Sequence, residues 1–182
     1  MSEKIKKLIT PMIVTAVVIF VFLCLILKPE VPENYASYVS YTASAITVLF
    51  VLYERILWRC IPWNRPPVLK KKYDGTLYYI ENNEKKTKSI EIIVRQSWLA
   101  VSIKTNTDIN SSWSITGSIV QEYGENVLYY NYITNPDALT QESNPIQHGS
   151  CRMVLNGKNT YLKGKYWTSS KTVGDIEWKE SK

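Results

Sequence analysis

A long uninterrupted apolar segment near the N-terminus restricts the fold of this chain more than any other feature. Leu8–Leu27 contains no charged side chain. Its length matches the ~20 residues that a helix needs to cross a hydrocarbon core of ~30 Å. A cleaved signal peptide is the alternative, because lysines precede the segment, but the residues after it, 28–33, offer no small-x-small cleavage site. The segment therefore favours a retained transmembrane helix.

A second uncharged segment, Tyr35–Tyr53, follows after a short polar connector. It contains several serines and threonines, so a soluble amphipathic helix is an alternative to a membrane-spanning one. A single crossing would leave this segment in water, whereas two crossings would bury both. The sequence thus predicts a transmembrane hairpin within residues 1–61, with helices at about 8–27 and 35–58.

The distribution of basic residues predicts the orientation of the hairpin. Lysines precede the first helix, and arginines and Lys70–Lys72 follow the second, whereas the connector has only Lys28 beside two glutamates. The positive-inside rule then places both termini in the cytoplasm, with the hairpin in the bacterial inner membrane. The three cysteines, Cys24, Cys60 and Cys151, form no sequence-local pair, which is consistent with free thiols in a reducing compartment.

Beyond a proline-rich linker at 62–68, residues 69–182 have the pattern of an all-β domain. Short runs of alternating polarity are separated by turn residues such as Asn156-Gly157. We predict eight strands, at 73–80, 88–95, 97–105, 112–121, 126–133, 148–156, 160–168 and 173–179. Sequential short strands favour a small antiparallel meander closed into a lipocalin-like barrel, since closure removes exposed edges. A two-sheet sandwich is the competing architecture.

Alternation along single strands predicts which side chains face the barrel interior. In the first strand, Tyr73, Gly75, Leu77 and Tyr79 share one face, and Gly75 leaves room for a large neighbour. In the seventh strand the two lysines share one face, so Leu162, Gly164 and Tyr166 are expected inside. The direction of Arg95 stays ambiguous. The long connection 135–147 is typical either of a functional loop, such as a lid, or of an idle surface excursion.

The residue content argues against catalysis and against binding of long nucleic acids. The chain has a single histidine and no phosphate-binding glycine loop, HExxH motif or nucleophile elbow, so we predict that it is not an enzyme. From Lys70 onward, fifteen Lys and Arg face twelve Asp and Glu, an excess too small to hold a DNA or RNA polymer. A small anionic ligand needs only one or two cations and aromatic faces for its bases, and the strands supply both.

Several short motifs, in this order along the chain, resemble those of a known family. After the hairpin come Arg65-Pro66-Pro67, Tyr73-Asp74-Gly75, Tyr130-x-Tyr132-x-x-Asn135-Pro136, His148-Gly149 ahead of Leu155, and Leu162-x-Gly164-x-Tyr166-Trp167-Thr168 with Gly174 beyond. The whole chain thereby resembles the two-transmembrane, β-barrel effectors of bacterial CBASS anti-phage systems, also described as SMODS-associated or CD-NTase-associated β-strand-rich proteins.

The resemblance implies a receptor and no cofactor. A partner cyclase makes a cyclic oligonucleotide, expected to be a cyclic dinucleotide, and the cytosolic barrel binds it. The effector then oligomerises with itself, and its helices disrupt the inner membrane, which kills or arrests the infected cell. We expect a cation-plus-aromatic ligand site drawn from seven residues: Arg95, Trp98, Tyr130, Tyr132, Asn135, His148 and Tyr166.

The second helix carries small residues at four-residue spacing, Ala36, Ser40 and Ser44, which allow close helix approach in lipid. This stripe is predicted either to pack between copies of the protein or to contact the first helix of the same chain. Two other functions stay open: a membrane-tethered lipocalin-like carrier of a lipid or another apolar ligand, and a scaffold that docks a partner protein on the barrel surface.

Overall fold

The computed structural model of the protein describes residues 3–28, 32–61, 66–81, 84–108, 110–136 and 145–181. The chain divides into two compact units, Met1–Pro62 and Trp63–Lys182. The first unit is helical and the second is a β-barrel, in agreement with the predicted fold class.

The N-terminal unit contains two long helices, α1 (Glu3–Leu27) and α2 (Pro32–Arg55), and a short 3-10 helix, Leu57–Arg59. Each long helix has a segment long and apolar enough to cross a membrane: Leu8–Leu27 with mean hydropathy 2.8, and Tyr35–Arg55 with mean hydropathy 1.4. Proline suits the first turn of α2, because a helix leaves its first amides without an intrahelical partner.

The second unit forms eight antiparallel strands in the described part of the chain. They are β1 (Lys72–Glu81), β2 (Glu84–Gln96), β3 (Val101–Asn106), β4 (Asn110–Glu122), β5 (Glu125–Pro136), β6 (His148–Leu155), β7 (Tyr161–Thr168) and β8 (Val173–Glu180). Each strand pairs with the next in sequence. β1 also pairs with β8, from Tyr73 opposite Glu180 to Tyr79 opposite Gly174, and this pairing closes the barrel. A two-sheet sandwich is thereby excluded.

Alternation places the interior residues where the sequence predicted them on β1 and β7. Tyr73 and Leu162 are fully buried, and Tyr166 is buried within the same core. The prediction for Gly75 is also confirmed, because a Cβ at this position would lie 2.5 Å from Cδ1 of Ile92.

One end of the barrel is filled with large side chains and is crossed by the incoming chain. Trp178 packs against Tyr73 with ring centroids 5.6 Å apart. The Gln96 side chain ties down the segment that precedes β1: its amide NH₂ donates to the Pro67 carbonyl, and its oxygen accepts from the Leu69 amide, both at 2.8 Å. The barrel is therefore closed at this end, and any internal ligand has to enter from the other.

The open end is formed where β1, β3, β5 and β7 finish and their successors begin. Of the long connection after β5, residues 137–144 lie outside the described residues, so its predicted role as a lid stays a prediction.

Candidate ligand site in the barrel

A cavity of about 230 Å³ opens at the unfilled end of the barrel, and every strand except β6 contributes to its wall or rim. Its lining consists of Leu77, Tyr79, Lys88, Ile90, Thr105, Thr107, Asn110, Ser111, Ser112, Tyr130, Tyr132, Thr134, Gln147, Tyr166, Thr168, Thr172 and Ile176. The set is a mixture of aromatic and aliphatic groups with many hydroxyls and one cationic side chain. Such a lining suits a ligand with flat apolar parts and hydrogen-bonding or anionic parts.

The cavity lining is layered from floor to rim. On β2 the inward-facing residues run from Ile90 to Lys88 toward the open end, and on β5 from Tyr130 through Tyr132 to Thr134. On β7 the threonine at 168 likewise lies above Tyr166. An aromatic and aliphatic floor thus lies beneath a rim of hydroxyls, an amide and an ammonium group.

Two tyrosine rings of the cavity wall lie directly over glycines of neighbouring strands. Tyr132 is paired with Gly149, where a Cβ would lie 2.3 Å from Cζ of the ring. Tyr166 is paired with Gly174, where a Cβ would lie 2.6 Å from its Cε1. Because any larger residue would push these rings aside, the glycines fix the position of both aromatic faces.

Three of the four tyrosines that line the cavity, Tyr130, Tyr132 and Tyr166, keep their hydroxyl protons at physiological pH. Burial raises the pKa of Tyr166 to about 12 and raises those of Tyr130 and Tyr132 as well. Cys151 on β6 is the register partner of both Tyr130 and Tyr166. Burial raises the pKa of its thiol to about 12, and the thiol shares a hydrogen bond with Tyr130. These groups act as neutral hydrogen-bonding partners, and the cavity wall carries no negative charge from them.

Lys88 supplies the positive charge of the cavity. It lies opposite Leu77 on β1, is half-buried, and has no ion-pair partner among the described residues. Asn110 adds a hydrogen-bonding site, since its side-chain oxygen is buried and no described group donates to it. Together they give the rim a cation and an unused acceptor.

Comparison with known proteins identifies this type of barrel. Residues 65–180 match the family model described as "Cap15, cyclic dinucleotide receptor domain". The chain belongs to the Cap15 family. A relative in Staphylococcus schleiferi, CD-NTase-associated protein 15, is 34% identical over 188 aligned residues. The alignment spans the whole length of both proteins. These comparisons confirm the family resemblance that the sequence motifs indicated. The family model confirms it for the Cap15 barrel, and the relative confirms it for the whole chain.

The Cap15 barrel brings three of the seven predicted site residues together and leaves four elsewhere. Tyr130, Tyr132 and Tyr166 line the cavity. The other four do not: Arg95, Asn135 and His148 are exposed on the outer surface, and Trp98 is buried in the β2–β3 turn at the closed end. As ligand contacts, all seven residues stay predictions.

Sequence reasoning missed Lys88 and Asn110. Alternation could have identified Lys88. The even-numbered residues Ile90, Ile92 and Val94 have apolar side chains that mark the inner face of β2, and Lys88 is even-numbered as well. No comparable signal marked Asn110, which begins its strand beside a turn.

Arg152 is the second arginine of residues 69–182, after Arg95. Its side chain lies on the outside of the barrel and is paired there with other side chains. Its Nη2 lies 2.8 Å from Glu122 Oε2, and its Nε donates to the Tyr129 hydroxyl at 2.9 Å. That hydroxyl donates to Glu122 Oε1 at 2.6 Å. The three side chains form a closed network that joins β4, β5 and β6.

In the helical unit of this Cap15 protein, the stripe of small residues on α2 is exposed. Ala36, Ser40 and Ser44 all lie on the surface of the unit, and the Ser40 hydroxyl donates to the Ala36 carbonyl of its own helix at 3.1 Å. Among the described side chains of α2, the buried ones are those of Tyr38 and Thr42. The described residues of the helical unit therefore leave the stripe uncovered.

No group of three or more histidine, cysteine, aspartate or glutamate side chains among the described residues is arranged to hold a metal ion.

Proposed function

We propose that this protein is a membrane-anchored CBASS effector whose barrel binds a cyclic dinucleotide in the cavity at its open end. One observation supports this proposal most: a barrel of the cyclic dinucleotide receptor family has a cavity with an aromatic floor and a cationic, hydroxyl-rich rim. The proposed role is that of a receptor and not of an enzyme, with a partner cyclase as the source of the ligand.

The chemistry of the ligand matches the layers of the cavity. A base offers a flat face to Tyr132 and Tyr166, and stacking contributes ~1–3 kcal/mol per base. Phosphate oxygens accept charge-assisted hydrogen bonds from Lys88, each of which contributes ~1.5–3 kcal/mol. A purely apolar ligand would make no use of a cation and seven serine and threonine hydroxyls around the entrance, so the polar rim favours the nucleotide over such a ligand.

The helical unit is proposed to anchor the barrel in the inner membrane with both termini in the cytoplasm. Two helices of spanning length and the excess of lysine and arginine outside the connector support this orientation. A cytoplasmic barrel would meet the cyclase product directly.

The output is proposed to be ligand-driven self-assembly and disruption of the membrane. A ligand shifts an equilibrium only through its different affinity for the two states, so the cyclic dinucleotide has to bind the assembled form more tightly. The exposed Ala36, Ser40 and Ser44 stripe offers a surface at which α2 helices of different copies can approach closely.

Thermal stability of the full-length protein in detergent, measured with a panel of cyclic di- and trinucleotides, tests the ligand class. A ligand at 100 times its Kd should stabilise the barrel by about 2.7 kcal/mol. A panel in which no cyclic nucleotide raises the melting temperature would contradict the proposal.

Two variants then locate the binding site. Tyr132→Ala removes a cavity face and should weaken binding at least about fivefold, by the loss of ~1 kcal/mol or more of stacking. Arg95→Ala, on the outer surface, should leave the affinity unchanged. The opposite result would move the site to the outer wall, where Asn135 and His148 are also exposed.

A further inference from the structure

The size of the cavity limits how much of a cyclic dinucleotide the barrel can enclose. Pockets that enclose a drug-sized ligand occupy ~300–1,000 Å³. The barrel cavity measures about 230 Å³. A cavity of ~150 Å³ is known to hold a single benzene ring. The barrel therefore has room for one bicyclic base with part of its sugar, and not for two bases and the ring that joins them.

The order of the layers indicates which part of the ligand lies deep. Ile90, Tyr130 and Tyr166 make the floor apolar and flat, as a base requires. The charge of Lys88 lies one inward-facing position nearer the open end than Ile90. In a cyclic dinucleotide the two phosphates join the sugars of the two nucleosides, so a base on the floor, with its sugar above it, brings the phosphates to the level of the rim.

A ligand in the reverse arrangement would be penalised. Phosphates placed on the floor would lie among buried side chains and lose their hydration without meeting a cation of the described residues, which is costly for an unpaired charge. A base at the rim would leave the aromatic floor empty.

We infer that the barrel encloses one base of the cyclic dinucleotide, holds the phosphates at its rim through Lys88, and leaves the second base outside the cavity. This inference rests on the proposed function, and it adds that recognition is one-sided although the ligand has two similar halves. The second base then lies at the mouth of the barrel.

Ligands with a bulky aromatic substituent on one base or on both bases test this arrangement. Affinities would be measured by calorimetry on the full-length protein in detergent, beside the unmodified symmetric ligand. A singly modified ligand keeps one base that can enter the barrel, so it should bind only about twofold more weakly, the statistical loss of one of two equivalent orientations. The doubly modified ligand should lose at least about tenfold, since neither base can stack on the floor.

Each other result contradicts the inference in a different way. Equal losses for the singly and doubly modified ligands would mean that both bases are enclosed. Unchanged affinity for the doubly modified ligand would mean that neither base is enclosed. Failure of the unmodified ligand to bind would overturn the proposed function itself, and the inference with it.

Discussion

Removing the charge of Lys88 is the sharpest test of the phosphate contact proposed for the rim. Lys88→Met keeps most of the length and apolar surface of the side chain and deletes only the ammonium group. A hydrogen bond to a charged group contributes ~1.5–3 kcal/mol. The loss corresponds to about a 10- to 150-fold increase in Kd for the cyclic dinucleotide. Because the rim is open to solvent, we expect the lower part of this range and a smaller loss at high salt.

Lys85 provides a matched control, because it lies on the same strand but its side chain is exposed on the opposite face. Lys85→Met makes the same change in net charge and in composition. Calorimetric titrations of both variants at low and at moderate ionic strength separate a local contact from a general electrostatic effect. If the two variants bind within about twofold of each other, Lys88 makes no phosphate contact and the layered assignment of the cavity fails.

Four other outcomes are expected. Gly149→Ala should push the neighbouring tyrosine ring into the cavity and weaken ligand binding, at a cost of ~1–3 kcal/mol in stability that thermal melts would detect; unchanged binding would contradict the fixed ring position. Hydrogen bonds from Tyr129 and Arg152 lower the pKa of Glu122, so the stabilisation is present above the unfolded pKa of this carboxyl group and lost as pH falls through the folded one. Arg152→Ala should therefore lower the melting temperature at pH 7 and lower it less in acid, and a constant difference would exclude the pair as the cause. Replacing Ser40 and Ser44 with Leu should preserve ligand affinity and abolish ligand-dependent leakage of cells; full leakage would rule out the stripe. A C-terminal alkaline phosphatase fusion should be inactive, and periplasmic activity would reverse the proposed orientation.

The outline of the barrel was predictable because period-two alternation and turn chemistry agree along most strands. The β2–β3 boundary was placed wrongly, with a strand from 97, because Trp98 has the character of a strand residue. In the structure Ser97 donates to the Ala100 carbonyl to make a turn, and Trp98 is buried beside it at the closed end. Tertiary burial of a single tryptophan thus outweighed local propensity.

A β-bulge on β4 shows why alternation alone cannot assign the faces of every strand. The register shifts between Ser114 and Thr116, so inward positions are even-numbered before the bulge and odd-numbered after it. Counting back from buried Ile119 would place Trp113 inside, yet its side chain is exposed. An extra residue in one strand leaves no mark in a hydrophobic pattern.

The sequence predicted the inward direction of two tyrosines of the candidate site, but it did not predict the direction of the charged groups. Tyr130 and Tyr166 share their face with residues that pack the core, so their direction follows from alternation. Arg95 could not be oriented from neighbours of mixed polarity. Asn135 and His148 entered through the motif resemblance, which carries no information about the direction of a side chain. To predict which basic residues face the cavity, their odd or even position along the strand is therefore more informative than their number.

The pairing of β1 with β8 also sets the order in which the protein becomes functional during its synthesis. The barrel cannot close until β8 has left the ribosome, about 125 residues after α2, which takes roughly 6–25 s at ~5–20 residues per second. The apolar helices emerge first and can insert into the membrane throughout this interval. With the anchoring proposed above, a nascent chain reaches the membrane before it has the closed cavity in which the proposed ligand would bind.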